Sequence, residues 1–344
     1  MELRILAEIR VMDGHEPVLE VSAAGTVEHI CDRHQCRWQH KPSPITGPMK
    51  ELSQHTLADG SVLIVEIFAG TLTRVSPDGT KTIVARPGGG PNGAALGPDG
   101  KCYICNNGGF RWHIERSHRR PLMQADDYSG GRIDRIDLET GVVECLYRAA
   151  GEVPLKGPND LVFDAQGGFY FSDLGKVRAR EMDRGAVYYA RADGSFITEV
   201  AFPMITPNGV GLSPDEKTLY VAETESARLW AFDIVEPGVA KKQPWPSAHG
   251  GRLVAGVGGF QRFDSLALDA DGRICVATLV NGGTTVISPD GRHVEHHPMP
   301  DLMTTNICFG GPNLKTAFVT LSWTGKLITV DWPVAGLKLN WSDR

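Results

Sequence analysis

No apolar run in this 344-residue chain approaches the roughly 18 residues that a membrane-crossing helix needs. The first twenty residues carry Glu2, Glu8, Asp13 and Glu16 in place of the basic and apolar regions of a signal peptide. The expectation is a cytoplasmic protein with no membrane partner. Basic excess is missing too. The formal net charge is -6 and no basic stripe alternates with aromatics, which argues against nucleic acid as a partner. No Gly-x-Ser-x-Gly elbow is present, so serine-hydrolase chemistry is not expected. Gly88-Gly89-Gly90-Pro91 lacks the Lys-Ser/Thr of a phosphate loop. Cysteine offers no zinc site either. The seven are Cys31, Cys36, Cys102, Cys105, Cys145, Cys275 and Cys308, an odd number lying mostly within apolar strand patterns. Cys102 and Cys105 have CxxC spacing, but on a strand that spacing sends the two thiols to opposite faces. Free buried thiols are the expectation. Long helical periodicity is also absent.

What the chain has is glycine, 40 residues of it, and a repeated phrase. Pro91-Asn92-Gly93, Pro158-Asn159-Asp160, Pro207-Asn208-Gly209, Phe263-Asp264-Ser265 and Thr305-Asn306-Ile307 each lead into a short alternating apolar run and then a turn. Asn208 to Leu212, Thr218 to Ala222 and Arg228 to Asp233 read as a meander of strands with period-two patterning. Val62 to Ile67, Thr71 to Val75, Thr316 to Thr320 and Leu327 to Val330 extend the pattern to both ends. Repeats of roughly 40 to 50 residues with longer loops are propeller blades. Counting Glu51, which stands where a first anchor belongs, gives six. The expectation is one all-β domain over residues 1–344, a six-bladed β-propeller with a central metal site. Val18-Leu19-Glu20-Val21 is a candidate to pair into the last blade and close the ring, since an open edge invites aggregation. Residues 106–131 interrupt one blade with a basic, aromatic insertion that is a candidate lid, the alternative being a solvated loop.

Asn-Gly and Asn-Asp pairs form turns wherever they occur. Five oxygen-bearing side chains at one repeat position say more, because a ring brings equivalent positions to one axis. Oxygen donors of this kind suit a hard divalent cation such as Ca²⁺ or Mg²⁺. Asp173 reads as a maker of turn bonds, Glu223 as either channel-facing or surface, and His296-His297 as a surface turn.

Pro91-Asn92-Gly93 through Cys105-Asn106-Asn107-Gly108, then Gly157-Pro158-Asn159-Asp160-Leu161-Val162 with Tyr170-Phe171-Ser172-Asp173, resembles the SMP-30/gluconolactonase family. So do Pro207-Asn208-Gly209 with Leu212 to Glu223, and Thr304-Thr305-Asn306 with Phe309-Gly310-Gly311. The resemblance spans about residues 50 to 332. It implies a six-bladed propeller holding one divalent cation, Ca²⁺ first, with Mg²⁺, Mn²⁺ and Zn²⁺ as alternatives. It also implies hydrolysis of sugar lactones or related esters. Carried onto this chain it makes Asn159, Asn208 and Asp264 metal ligands. Glu51 becomes the fourth, although Glu51-Leu52-Ser53 lacks the family's Gly-Pro after the Glu; Glu20 and Glu66 are the fallbacks. Asn92 falls where sugar lactonases have their substrate pocket.

The function expected is opening of a small-molecule lactone, with the cation polarising the carbonyl and Asp264 as ligand and catalytic base. Arg111 and His113 of the insertion are candidate substrate contacts. Another metal-dependent reaction at the same site, a phosphotriesterase or a lyase, remains an alternative. So does a non-enzymatic calcium- or protein-binding propeller.

Overall fold

The computed structural model describes residues 3–7, 54–115 and 118–342. Glu20, Glu51 and the candidate closing strand at Val18 to Val21 lie outside the described residues. The described chain contains strands and no helix, hence no helix long and apolar enough to cross a membrane. Six antiparallel sheets of four or five strands follow one another as blades. Their innermost strands are Gln54–Thr56, Pro91–Leu96, Pro158–Phe163, Pro207–Leu212, Arg262–Leu268 and Thr304–Gly310. Each packs against the next, and the last packs against the first, so the ring is closed.

Why these segments are strands follows from where their two faces go. Six buried apolar clusters fill the spaces between successive blades. In Val62-Leu63-Ile64-Val65 the first and third residues join the cluster shared with the sixth blade, and the other two the cluster shared with the second. A strand buried on both faces reads as a continuous apolar run. Cys102 and Cys105 obey the same rule, lying in different clusters on opposite faces of the second blade. The free thiols of Cys102, Cys105, Cys275 and Cys308 are buried as expected, while that of Cys145 is exposed. Between the second and third blades the packing is aromatic. Tyr103 meets Phe163 edge-on at 5.0 Å, and Phe163 lies 5.1 Å from Phe169.

The ring closes with a segment other than the one expected. Leu3–Ala7 pairs antiparallel with Lys326–Asp331 and completes the sixth blade, in place of Val18 to Val21. Val18-Leu19-Glu20-Val21 has strand character, but pairing with the last blade is a long-range choice that local patterning does not encode. His296 and His297 also differ from expectation. They lie on the strand Val294–Pro298, both half-buried, with His296 3.0 Å from the Thr285 hydroxyl.

At one end of the ring the innermost strands begin and the second strands finish; we call this end the mouth. The opposite end is crossed by the C-terminal segment. Leu337 N donates to Leu268 O (2.8 Å), Asn340 Nδ2 to Phe163 O (3.1 Å) and Trp341 Nε1 to Asp164 O (3.0 Å). Leu337, Leu339 and Asn340 thereby floor a central cavity of about 70 Å³, which Asp160 and Ser265 also line.

Candidate metal centre

Asn92, Asn159, Asn208, Asp264 and Asn306 occupy equivalent places near the start of the innermost strands, all at the mouth. A β-bulge recurs at that place in all five blades. Pro91 to Ala94, Pro158 to Leu161, Pro207 to Val210 and Phe263 to Leu266 each advance three residues against two on the second strand. Thr304 to Asn306 advances two against one. A bulge carries one unpaired residue and re-aims its side chain. The repeated anchor is therefore a repeated break in the ladder, and this is how period-two strands present polar side chains at the start of an otherwise apolar core.

The residue after the anchor sets how closely the strands converge. A Cβ on Gly93 would sit 2.5 Å from Asn159 O, and one on Gly209 2.7 Å from Leu266 N and 2.8 Å from Asp264 O. Only glycine allows these backbones to approach, and the approach brings Asn208 beside Asp264. In the third and fifth blades, where Asp160 and Ser265 replace glycine, the two residues bond to each other. The Ser265 hydroxyl donates to the Asp160 carboxylate, and Asp160 also accepts from Leu161 N at 2.9 Å.

A second repeated device holds the approach to each anchor. The polar residue ending the second strand accepts a backbone N–H from the segment entering the innermost one. Asn106 Oδ1 accepts from Gly90 N (2.9 Å), Asp173 from Lys156 N and Gly157 N (2.7 Å each), and Glu223 from Ile205 N (2.7 Å). Asp173 makes the expected turn bonds, and Glu223 is a buried structural residue further held by Ser226 and Trp230 Nε1. Glu66 stands at the same second-strand position in the first blade, where its carboxylate accepts from Thr71 (2.9 Å) and Thr73 (2.8 Å). Its counterparts are thus clasp residues and not anchors. The sequence signal for the clasp is a polar strand end fourteen or fifteen residues after each of Asn92, Asn159 and Asn208.

The electrostatics are unusual for a polar cluster with no counter-charge. Burial pushes the Asp264 carboxyl up to about 8, with the Asn208 amide pulling it back and the Asp160 charge adding to the rise. Burial likewise raises Asp160 to about 6 against hydrogen bonds from Ser265, Leu161 and Val210. Asn159 and Asn208 are buried, and Asn92 and Asp264 half-buried. The Asn208 Nδ2 donates to Thr224 Oγ1 at 3.0 Å, while its Oδ1 is buried with no partner. An orphaned amide carbonyl beside an unpaired carboxyl is costly unless something positive meets both. Asn159 Oδ1, Asn208 Oδ1 and the Asp264 carboxylate form a donor set that fits a hard divalent cation. Among the described residues no three His, Cys, Asp or Glu side chains form a metal-binding group, so any such site here depends on the amides.

The structure therefore brings Asn159, Asn208 and Asp264 to one end of one ring, with Asn92 on the strand next to that of Asn159. Arg111 and His113 stand on the insertion and not on the innermost strands. The insertion folds as a hairpin, Phe110–Glu115 paired with His118–Gln124. Arg111 is exposed on it and salt-bridged to Asp126, and His113 is exposed 3.8 Å from Glu115. The hairpin instead packs through Trp112, which meets Phe68 of the first blade edge-on at 5.2 Å. His118 lies 4.4 Å from Trp323 of the sixth blade. Its base is pinned by Lys176, a buried residue whose Nζ donates to Asn107 O and Gly109 O at 2.8 Å each. Neither the hairpin nor Lys176 carries a local sequence signal for these long-range contacts.

Residues 54–322 match the family model described as SMP-30/Gluconolactonase/LRE-like region. A lactonase, drp35, of Staphylococcus saprophyticus is 29% identical over 76% of this chain and 76% of its own. The drp35 lactonase of Staphylococcus haemolyticus is 28% identical over 70% and 67%. Among solved structures, a calcium-binding regucalcin from Agrobacterium tumefaciens superposes with a TM-score of 0.66 at 22% identity, covering 84% of this chain and 92% of that one. A gluconolactonase from Xanthomonas campestris gives 0.64 at 22% identity, covering 83% and 86%. At these identities the structural likeness speaks for the propeller fold.

Proposed function

Because the chain belongs to the SMP-30/gluconolactonase/LRE-like family, we propose that it is a metal-dependent lactonase acting on a small-molecule lactone at the mouth of the propeller. The observation that carries the reading is the pairing of Asn208, whose buried Oδ1 has no partner, with the Asp264 carboxyl whose ionisation is suppressed. Asn159, Asn208 and Asp264 would hold one divalent cation, Ca²⁺ first among the candidates, with Glu51 as the proposed fourth ligand. Bound there, the cation supplies Lewis-acid stabilisation of charge developing on the lactone carbonyl oxygen.

The protein groups do the rest. Asp264 orients the attacking water and accepts its proton. The Asn208 amide favours the ionised form of Asp264, and Thr224 holds that amide through a hydrogen bond from Asn208 Nδ2. Gly93 and Gly209 set the spacing of the strands that carry these groups. Asn92, on the adjoining strand, is placed to contact the lactone ring substituents. The C-terminal segment closes the far end of the cavity, so substrate and water meet Asp264 from the mouth. The regucalcin name speaks of calcium and the drp35 name of a lactonase, and both agree with this assignment.

The test is hydrolysis of a panel of sugar and aliphatic lactones followed by a pH indicator, with metal-stripped protein and Ca²⁺, Mg²⁺, Mn²⁺ or Zn²⁺ restored singly. Cation-restored turnover supports the reading. Cation binding without turnover on any lactone would point to a different reaction at the same centre.

A further inference from the structure

The arginines at the mouth are not alike. Arg111 is salt-bridged to Asp126, Arg178 to Asp183 (2.8 Å), and Arg262 to Glu225 (3.0 Å). Arg119 has no acidic partner among the described residues, although it is half-buried and its Nε is buried without an acceptor. Its guanidinium lies 3.9 Å over the Phe68 ring. That contact uses the flat face of the group and leaves the N–H donors at its edge uncommitted.

The hairpin holds this side chain in place. It leaves the second blade, meets Phe68 of the first through Trp112, and reaches the sixth through Arg120, whose guanidinium lies 3.9 Å over Trp323. All three attachments are on loops that follow second strands, which end at the mouth. The hairpin thus spans one side of the mouth, from the second blade to the first and sixth, with Arg119 braced on Phe68. A buried Nε–H without an acceptor is costly, and the planar guanidinium edge matches a carboxylate in a two-point hydrogen bond.

We propose that Arg119 is a specificity-determining residue that pairs with a carboxylate on the substrate, making the substrate class a lactone that carries an anionic group apart from the ester being opened. This rests on the lactonase reading above. A neutral polyhydroxy lactone would leave the Arg119 edge unmet. A carboxylate formed only by ring opening would engage Arg119 in the product and not in the substrate, which the kinetics separate.

The experiment compares γ-butyrolactone-γ-carboxylate with its γ-carboxamide, matched in shape and differing in charge, using full-length protein with restored cation. The wild type is expected to show the lower KM for the carboxylate. Arg119→Ala should raise that KM by about 10- to 100-fold with kcat little changed, leave the carboxamide unaffected, and be partly rescued by Arg119→Lys. Equal KM values in the wild type, an equal loss on both substrates in Arg119→Ala, or a change confined to product inhibition would overturn the proposal. Absence of turnover on both of these and on the wider lactone panel would instead overturn the lactonase reading, and the substrate class with it.

Discussion

The side-chain amide of Asn208, on the innermost strand of the fourth blade, stands beside Asp264 on the innermost strand of the fifth and draws its carboxyl down against the burial that raises it. The two residues are far apart in sequence and meet because Gly209 lets their strands converge. This contact ties the packing of the ring to the chemistry proposed for it.

Replacing Asp264 by Asn keeps the shape and removes the charge and the proton acceptor. Turnover should fall by about 10²- to 10⁴-fold, while thermal unfolding of the cation-free protein changes little or rises. The rise follows from removing a carboxyl that burial already disfavours. Steady-state kinetics beside a melting curve checks both, and near wild-type turnover would remove Asp264 from its role.

Gly209→Ala probes the convergence. The clashing atoms, Leu266 N and Asp264 O, are backbone, which cannot swing aside. A destabilisation of about 1–3 kcal/mol is expected, together with weakened cation binding, because the strand carrying Asp264 must move away. Chemical denaturation and a cation titration measure the two effects. Gly100→Ala, at a turn with open space around it, is the control for glycine loss alone, with strain from its positive φ of 73°.

Cation addition should stabilise the fold. A ligand bound only by the native state contributes about 2.7 kcal/mol at a concentration one hundred times its Kd. The melting temperature of stripped protein should therefore climb with added Ca²⁺. In Asn208→Ala the climb should shrink, because that variant loses the orphaned Oδ1.

Lys176 supplies a pH dependence outside the centre. Burial lowers its pKa from 10.5 to about 8, the charges of Asp173 and Asp183 opposing. Below pH 8 the ammonium is charged in both states and the folded state bears its burial cost. Between about 8 and 10.5 the unfolded chain holds the extra proton, so this contribution to stability rises with pH, by about 3 kcal/mol across the window. The neutral amine keeps two N–H donors for Asn107 O and Gly109 O. Wild-type stability minus that of Lys176→Met, measured by denaturation across this range, should increase with pH; a flat difference would contradict the account.

The blades were legible because each repeats one phrase, an anchor followed by a doubly buried strand. The anchors were legible as a set because Asn and Asp recur where apolar alternation begins. The bulge that re-aims them was not, since Pro-Asn-Gly reads equally well as a turn. The choice of Leu3–Ala7 over Val18 to Val21 as closing strand depends on pairing with Lys326–Asp331 more than three hundred residues away. Arg111 and His113 drew notice through charge alone. On a hairpin strand alternate residues face opposite ways, and it is Trp112, between them, that packs onto Phe68.

The most direct test of the central claim is calorimetric titration of Ca²⁺ into metal-stripped protein, run in parallel with lactone hydrolysis, for the wild type and Asp264→Asn. The account predicts one cation per chain, turnover that tracks its occupancy, and loss of turnover in the variant. Turnover undiminished in stripped protein, or cation binding unaffected by changes at both Asn208 and Asp264, would contradict it.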